Sequence, residues 1–365
     1  MYIYQHKEWP RFTWKSDELL STLATVRNNQ GRLLGKLETL GFDNLDSALL
    51  ETLTLDIVKS TEIEGEVLSR EQVRSSLAHR LGISIEDDTP TSRDIDGIVE
   101  LTLDATQNYQ QELTVERLFG WHGALFPTGR SGLYKIKVGH WRDGANGPMQ
   151  VVSGGYGREK IHFEAPDAKL LARLMDDFIA WFNSDKSIDP ILVAGVAHLY
   201  FVTLHPFEDG NGRLTRALTD MLLARADGIP QRFYSMSAQI MKQRKEYYLQ
   251  LEKAQKGTLD ITSWLMWFLD CLNSAIISAD GVIDNVLAKY RFWQRAKEYS
   301  LNSRQQKMLN LLLDNFKGKL STSKWAKITK CSTDSALRDI TTLIQFGLLE
   351  KEDGGGRSTS YRVVL

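Results

Sequence analysis

Apolar residues recur at helical spacing through most of the chain. Between Ser16 and Leu40 they fall at Leu19, Leu20, Leu23, Val26 and Leu33, one face of a 3.6-residue period, with Gly41 as a stop. Leu45 to Glu64 repeats the pattern through Leu49, Leu50, Leu53, Leu55, Ile57 and Val58, and Gly65 ends it. Ser69 with Gln72 three residues on predicts a capping box at the head of a third helix. DIDGIVELTLDATQNY and TVERLFGWHGALFP predict two more, the second capped by Thr114. The texture changes between Gly129 and Pro166. Glycines crowd there, and the β-prone runs MQVV and KIHFE flank SGGYGRE, which predicts a small hairpin. Helical periodicity returns over Asp167–Asn183 and Pro190–Leu204. It returns again in LTRALTDMLLARADG, where Leu214, Leu218, Met221 and Leu222 share a face. From about Asn302, three helical stretches and a two-stranded end predict a separate unit.

The fold class expected is therefore mainly α, a helical core with a small β-hairpin flap and a C-terminal winged helix-turn-helix. The expected divisions are 1–110, 111–290 and 300–365. At 365 residues the chain is long enough for two or three domains. A net charge of -1 advertises no polyanion partner for the molecule as a whole. Two cysteines, Cys271 and Cys331, are too few for a disulfide framework or a zinc ribbon and suit a reducing cytosol. The N-terminus lacks the pattern of a signal peptide. The greasiest run, ITSWLMWFLDCLNSAIISADGVI, is interrupted by Asp270, Asn273 and Asp280, which predicts a buried amphipathic helix and no membrane span. A cytoplasmic protein is expected.

Between two apolar helices lies HPFEDGNGRLTR, His205 to Arg216. Glycine admits positive φ and close approach of a ligand, so Gly210-Asn211-Gly212 can bare successive backbone N–H groups as an anion nest. A helix starting at Arg213 would add its own unpaired N–H groups and dipole. Arg213 and Arg216 stand three apart on one face, and their guanidinium forks suit phosphate oxygens. Two arginines at a helix N-terminus oppose the dipole unless an anion neutralises them. Asp209 beside phosphates suggests bridging magnesium. His205 has an ordinary pKa near neutrality and could take the proton of an attacking hydroxyl. Phe207 reads as an anchor into the core. The set points to phosphoryl or nucleotidyl transfer.

This stretch resembles the Fic-family signature, His-x-Phe-x-acidic-Gly-Asn-Gly-Arg-x-x-Arg, at every defined position, and the helices from about Thr114 to about Asp260 resemble the Fic core. The resemblance implies transfer of AMP from ATP to a protein hydroxyl (Ser, Thr or Tyr), with release of pyrophosphate. It makes His205 the base, Asp209 the magnesium-holding carboxylate, and Gly210, Asn211, Gly212, Arg213, Leu214, Thr215 and Arg216 the phosphate-binding stretch. A phosphorylating branch carries lysine inside the nest, and Gly212 here favours AMP transfer. The family's target-docking flap corresponds to the stretch around Val151, Val152, His162 and Phe163, with Gly154, Gly155 and Gly157 in its turn. Its adenine pocket comes from the segment QIMKQRKEYYLQL, here with Gln243 where asparagine is common. Lys242, Gln243 and Tyr248 are adenine-side candidates, and Tyr247 and Tyr248 fit equally as core aromatics.

STEIEG, Ser60 to Gly65, resembles the family's inhibitory pattern Ser/Thr-x-x-x-Glu-Gly/Asn. The implied pair is Glu64 with Arg216, which would remove a γ-phosphate ligand, while Ser60 steadies the helix. In some family members this glutamate also positions water that removes AMP, a reverse activity left open here. Residues 303–365 hold eleven Lys/Arg against six Asp/Glu, a local +5. STDSALRDITTLI would be a recognition helix and Arg357 a wing contact, while Asp334 and Asp339 argue against easy DNA docking. The partners expected are a protein target with a modifiable hydroxyl, the chain itself, and DNA or a protein at the C-terminal unit. A homodimer is also open. Two rivals stand beside the enzyme: a DNA-binding regulator whose core only senses nucleotide, and a transferase using another nucleotide donor.

Overall fold

A computed structural model describes residues 1–38, 42–85, 89–145, 147–154, 160–313, 316, 318–352 and 359–364. The chain divides into two compact units, Met1–Asp280 and Gly281–Leu365, so residues 1–110 share a unit with residues 111–280. The first unit opens with a 3-10 turn, Ile3–Gln5. The helices α1 (Ser16–Glu38), α2 (Phe42–Ile63), α3 (Arg70–Leu81), α4 (Arg93–Gln107) and α5 (Val115–Leu125) follow. Two hairpins come next, β1 (Arg130–Ser131) with β2 (Tyr134–Lys135), and β3 (Gln150–Ser153) with β4 (Lys160–Glu164). Then run α6 (Leu171–Asn183), α7 (Pro190–Leu204), α8 (Asn211–Asp227), α9 (Met236–Lys242), α10 (Arg244–Gln255) and α11 (Thr262–Ala296).

Helix α7 is the central pillar. Every residue from Ile191 to Leu204 is buried, so it carries no polar stripe and α8 packs along it. Pro190 sits at its first turn, and Asp189 caps Ile191 N at 2.8 Å while accepting from Arg27 Nε at 3.0 Å and Nη2 at 2.7 Å. That ties α1 to α7. Helix α2 is fixed by buried Asp56, which accepts from Ser235 Oγ at 2.6 Å, Ser237 N at 3.2 Å and Ser237 Oγ at 3.1 Å. Helices α4 and α5 meet where Gly97 has no side chain, since a Cβ there would lie 1.8 Å from Ala124 O. On α11, Trp264, Leu265, Phe268 and Leu272 are buried while Ile277 is exposed, Asn273 pairs with Asn29 at 2.7 Å and Asp280 with Arg32 at 3.0 Å.

Several boundaries differ from the periodicity. Helix α2 stops at Ile63, so Glu64 stands one residue past it, in a turn with Gly65 at φ +89°. Helix α8 begins at Asn211 rather than Arg213, so Gly212 lies in its first turn. Asp167–Asn183 begins with a 3-10 turn, Ala168–Leu170, capped by Asp167. The hairpin β1–β2 is too short for its alternation to register in sequence. The expected helix stop at Gly41 and the flap glycines Gly155 and Gly157 lie outside the described residues, as does Arg357.

The second unit holds α12 (Ser303–Leu313), α13 (Thr322–Thr329) and α14 (Thr333–Gln345). Antiparallel β5 (Leu349–Lys351) and β6 (Tyr361–Val363) close it over a core of Trp325, Met308, Ile340, Leu343 and Leu349. Asp339, expected on the exposed face of α14, is buried instead. It takes Arg304 Nε at 2.8 Å and Asn302 Nδ2 at 2.9 Å, so it presents no charge to a partner there.

Candidate functional site

The loop from His205 to Gly210 joins the end of α7 to the start of α8. His205 caps α7 in the left-handed region, φ 48° and ψ 57°, an uncommon conformation for a residue with a Cβ. Arg142, buried, holds it there. Its Nε donates to His205 O at 2.8 Å, its Nη2 to Pro166 O at 2.5 Å, and its backbone N to Pro206 O at 2.9 Å. His205 Nδ1 donates to Val202 O at 3.3 Å, which leaves Nε2 with its lone pair. Burial pushes its pKa down to about 4; Arg142 adds to this, while the Val202 hydrogen bond, Glu64 and Asp209 oppose it. The ring is neutral, as a base must be before it accepts a proton.

Phe207 is fully buried, packed on His122, Trp141 and Phe119 as the expected anchor. Asn211 closes the loop on itself. Its Oδ1 accepts from Phe207 N at 3.0 Å and its Nδ2 donates to Phe207 O at 2.9 Å. Its side chain therefore shapes the nest and is not itself free for a phosphate. The two glycines serve different needs. Gly210 takes φ +80°, and a Cβ there would lie 2.8 Å from the Phe126 ring. Gly212 is helical, but a Cβ would lie 2.2 Å from Glu64 Oε1 and 3.2 Å from Arg216 Nη1. The space over Gly212 is thus already occupied by a carboxylate.

That carboxylate belongs to the turn after α2. Arg216 Nη2 donates to Glu64 Oε1 at 2.7 Å and to Ser60 O at 2.8 Å, and its Nε donates to Ser60 Oγ at 2.8 Å. Burial works against the Arg216 charge, but Glu64, with Tyr247 and Tyr248, outweighs it and the guanidinium pKa stands above its ordinary value. Ser60, Glu64 and Arg216 therefore meet as the inhibitory resemblance implies. A further contact was not legible in sequence. Arg213 Nη1 reaches Glu66 Oε2 at 3.2 Å, with its guanidinium 5.1 Å from the Phe126 ring centre. Glu66 carries no spacing signal, and only the path of the turn brings it to Arg213. Both guanidiniums keep one buried nitrogen, Arg213 Nε and Arg216 Nη1, with no hydrogen-bond partner among the described residues. Buried unpartnered donors are costly, and the oxygens of an anion could take both.

Two residues of the expected phosphate stretch do not face this site with a free group. Leu214 is buried apolar and its N–H goes to Gly210 O at 3.0 Å, while the Thr215 hydroxyl goes back to Asn211 O at 2.7 Å. On a helix whose first turn bears the cradle, positions two and three beyond Gly212 point into the core. Lys242 ends α9 on an exposed face. Tyr247 is a core aromatic bonded to His198 at 2.9 Å, whereas the Tyr248 hydroxyl lies 3.4 Å from Ile63 O, beside the Glu64 turn.

Asp209 is held on three sides. Its Oδ1 accepts from Gly210 N at 2.6 Å, its Oδ2 from the Ser131 hydroxyl on β1, and its carbonyl from His122 Nε2 at 3.2 Å. Among the described residues no group of three or more His, Cys, Asp and Glu forms a protein-only metal cage. One carboxylate facing a phosphate cradle fits magnesium that arrives with a nucleotide and keeps most of its own waters.

The flap is only partly what the strand pattern predicts. Phe163 is 1% exposed and packs edge-on against Tyr2, ring centres 5.1 Å apart, and Tyr4, 6.1 Å. It anchors the hairpin inward and cannot greet a target. His162 bonds Ser153 Oγ at 2.6 Å and Glu252 Oε2 at 2.8 Å, which ties β4 to α10. Val151, half-buried, pairs with Phe163, and a register shift follows it. The outward residues are Val152, as the resemblance implies, and its cross-strand partner Ile161, which carries no signal in the sequence.

Comparison with known proteins agrees with this geometry. Residues 112–223 match the Fic/DOC family, and residues 2–83 match a domain of unknown function (DUF4172). The chain is similar to the protein adenylyltransferase Fic of Drosophila mojavensis, 29% identical over 227 residues, which cover 60% of this chain and 40% of that protein. It is similar to that of Aedes aegypti, 31% identical over 235 residues, 62% of this chain and 42% of that one. The chain thus spans about two fifths of the length of these curated relatives. A solved structure of a Fic family protein from Desulfovibrio desulfuricans shares the fold, with a TM-score of 0.57 at 19% identity over 97% of this chain and 98% of that one.

Proposed function

We propose that this protein, whose residues 112–223 match the Fic/DOC family, transfers AMP from ATP to a hydroxyl of a protein, and that Glu64 holds the reaction in check. One observation carries the reading. A carboxylate of the chain itself lies over Gly212 and against Arg216, where an anion belongs, beside two buried guanidinium nitrogens with no hydrogen-bond partner among the described residues.

In the reaction, His205 Nε2 takes the proton of the acceptor hydroxyl as its oxygen forms a bond to the α-phosphorus. The bond from the α-phosphorus to the bridging oxygen breaks, and pyrophosphate leaves. The start of α8, from Asn211 on, directs its N–H donors at the phosphates. Arg213 and Arg216 neutralise the outer phosphates as charge moves onto the leaving group. Asp209 would hold magnesium, which supplies charge neutralisation between the phosphates when bound. While Glu64 occupies Arg216, ATP loses a ligand and meets a like charge over Gly212.

The test is Glu64→Gly incubated with magnesium and ATP labelled at the α-phosphate. Label should pass to protein, including the chain itself, faster than with the unaltered protein, and His205→Ala should abolish it. An unchanged rate for Glu64→Gly would overturn the inhibitory role. Label that persists with His205→Ala would overturn the transfer chemistry.

A further inference from the structure

We propose that His122, outside the motif and on α5, is a positioning residue that sets the orientation of Asp209. His122 is fully buried, its ring stacked on Phe207 at 4.2 Å with a 12° tilt and inclined against Phe126 at 5.1 Å. A hydrocarbon ring would fill this apolar slot without the cost of burying two nitrogens. What the imidazole adds is a two-ended connection. Gly139 N–H donates to Nδ1 at 3.1 Å, so Nδ1 carries no proton. The proton is therefore on Nε2, which donates to Asp209 O at 3.2 Å.

Both partners belong to one frame. Gly139 begins the strip that ends at Arg142, and Arg142 holds His205 O and Pro206 O at the other end of the same loop. His122 therefore closes a bracket around His205–Asp209. With the Asp209 carbonyl pinned, its carboxylate turns toward Gly210 N and Ser131, on the cradle side. Side chains that orient a metal-binding carboxylate from behind shift metal affinity by about 10–100-fold. The inference rests on Asp209 being the group that meets phosphate-bound magnesium.

The test uses the full chain with Glu64→Gly as parent. In His122→Asn the amide oxygen can replace Nδ1 and keep Gly139, but nothing reaches Asp209. In His122→Gln the amide nitrogen extends to the Nε2 position and can still donate to Asp209. ATP binding is measured by calorimetry over a magnesium series, with thermal melting and with kcat and KM for AMP transfer. His122→Asn should raise the magnesium concentration giving half-maximal ATP affinity about tenfold or more. His122→Gln should stay within about threefold of the parent, although both variants melt lower. Equal effects of the two variants on magnesium dependence, or none, would overturn the proposal. If His122→Asn does not fold, His122→Gln carries the test alone: keeping the parent's magnesium half-point supports the role, and losing it overturns the role. Failure of the underlying reading shows separately, as a parent that binds no ATP with or without magnesium, and it overturns both.

Discussion

Glu66 reaches Arg213 from the same turn that brings Glu64 to Arg216, and burial ranks the two contacts. The Glu66 side chain is 52% exposed at 3.2 Å from Arg213. Pairs screened in this way contribute ~0.2–1 kcal/mol, a factor of about 1.4–5 in an equilibrium. Glu64 is 30% exposed against an Arg216 that is 3% exposed, at 2.7 Å. A hydrogen bond to a charged group in that setting contributes ~1.5–3 kcal/mol, a factor of about 10–150. Glu66→Gln should therefore tighten magnesium-ATP binding by no more than about fivefold, and Glu64→Gly by one to two orders of magnitude. Calorimetry in a His205→Ala background measures this without turnover. Raising sodium chloride to about 0.5 M should weaken the Glu66 effect more than the Glu64 effect, since salt screens an exposed pair more than a buried one. Because both carboxylates ride on one turn, the double variant should depart from the product of the two single effects. A Glu66→Gln effect as large as that of Glu64→Gly, or one indifferent to salt, would refute the ranking by burial.

Gly212→Ala in the Glu64→Gly background should weaken ATP binding, because the new methyl takes the space over α8 and comes within 3.2 Å of Arg216 Nη1; undiminished calorimetric affinity would show that the phosphates lie elsewhere. Gly97→Ala should destabilise the first unit by about 1–3 kcal/mol, since the methyl would meet the backbone of Ala124 rather than a side chain that can move. Urea denaturation at the parent's midpoint would count against close α4–α5 packing. The pH profile has a worked sign. Burial pushes His122 and His205 down to about 4 and His198 to about 3, so the folded chain stays neutral at these rings while the unfolded chain protonates near 6.5. Stability from them is whole above the unfolded value and is lost as pH falls from about 6.5 toward 4. Asp220, raised to about 7 by burial and by Asp56, slopes the other way over the same range. Three groups against one predict a melting temperature that falls between pH 6.5 and 4.5, and a calorimetric profile flat or rising on acidification would contradict this.

The chemistry of this chain was legible where it is local. A nest, a helix start and two arginines three apart occupy one turn and a half of backbone, so spacing alone brings them together. Periodicity likewise read α1 to α8 nearly to their ends, because one buried stripe per helix repeats every 3.6 residues. The capping hydroxyls of Ser69 and Thr114 follow from the same short range. Short strands and side-chain direction were less legible. The pairs of β1 and β2 are too few to alternate, and a register shift at Val151 turns Phe163 inward under Tyr2 and Tyr4, more than 150 residues away in the chain. Glu66, Ser131, His122 and Arg142 likewise carry no motif, and they meet the loop only because helices and hairpins from distant stretches pack around it. Sequence by itself determined the glycine nest, the two arginines and the histidine beside it, and the helices that carry them. Tertiary structure added Glu66 to the Glu64 that the resemblance had already paired with Arg216, and decided which side chains hold the loop, because those contacts depend on packing across the fold rather than on spacing along it.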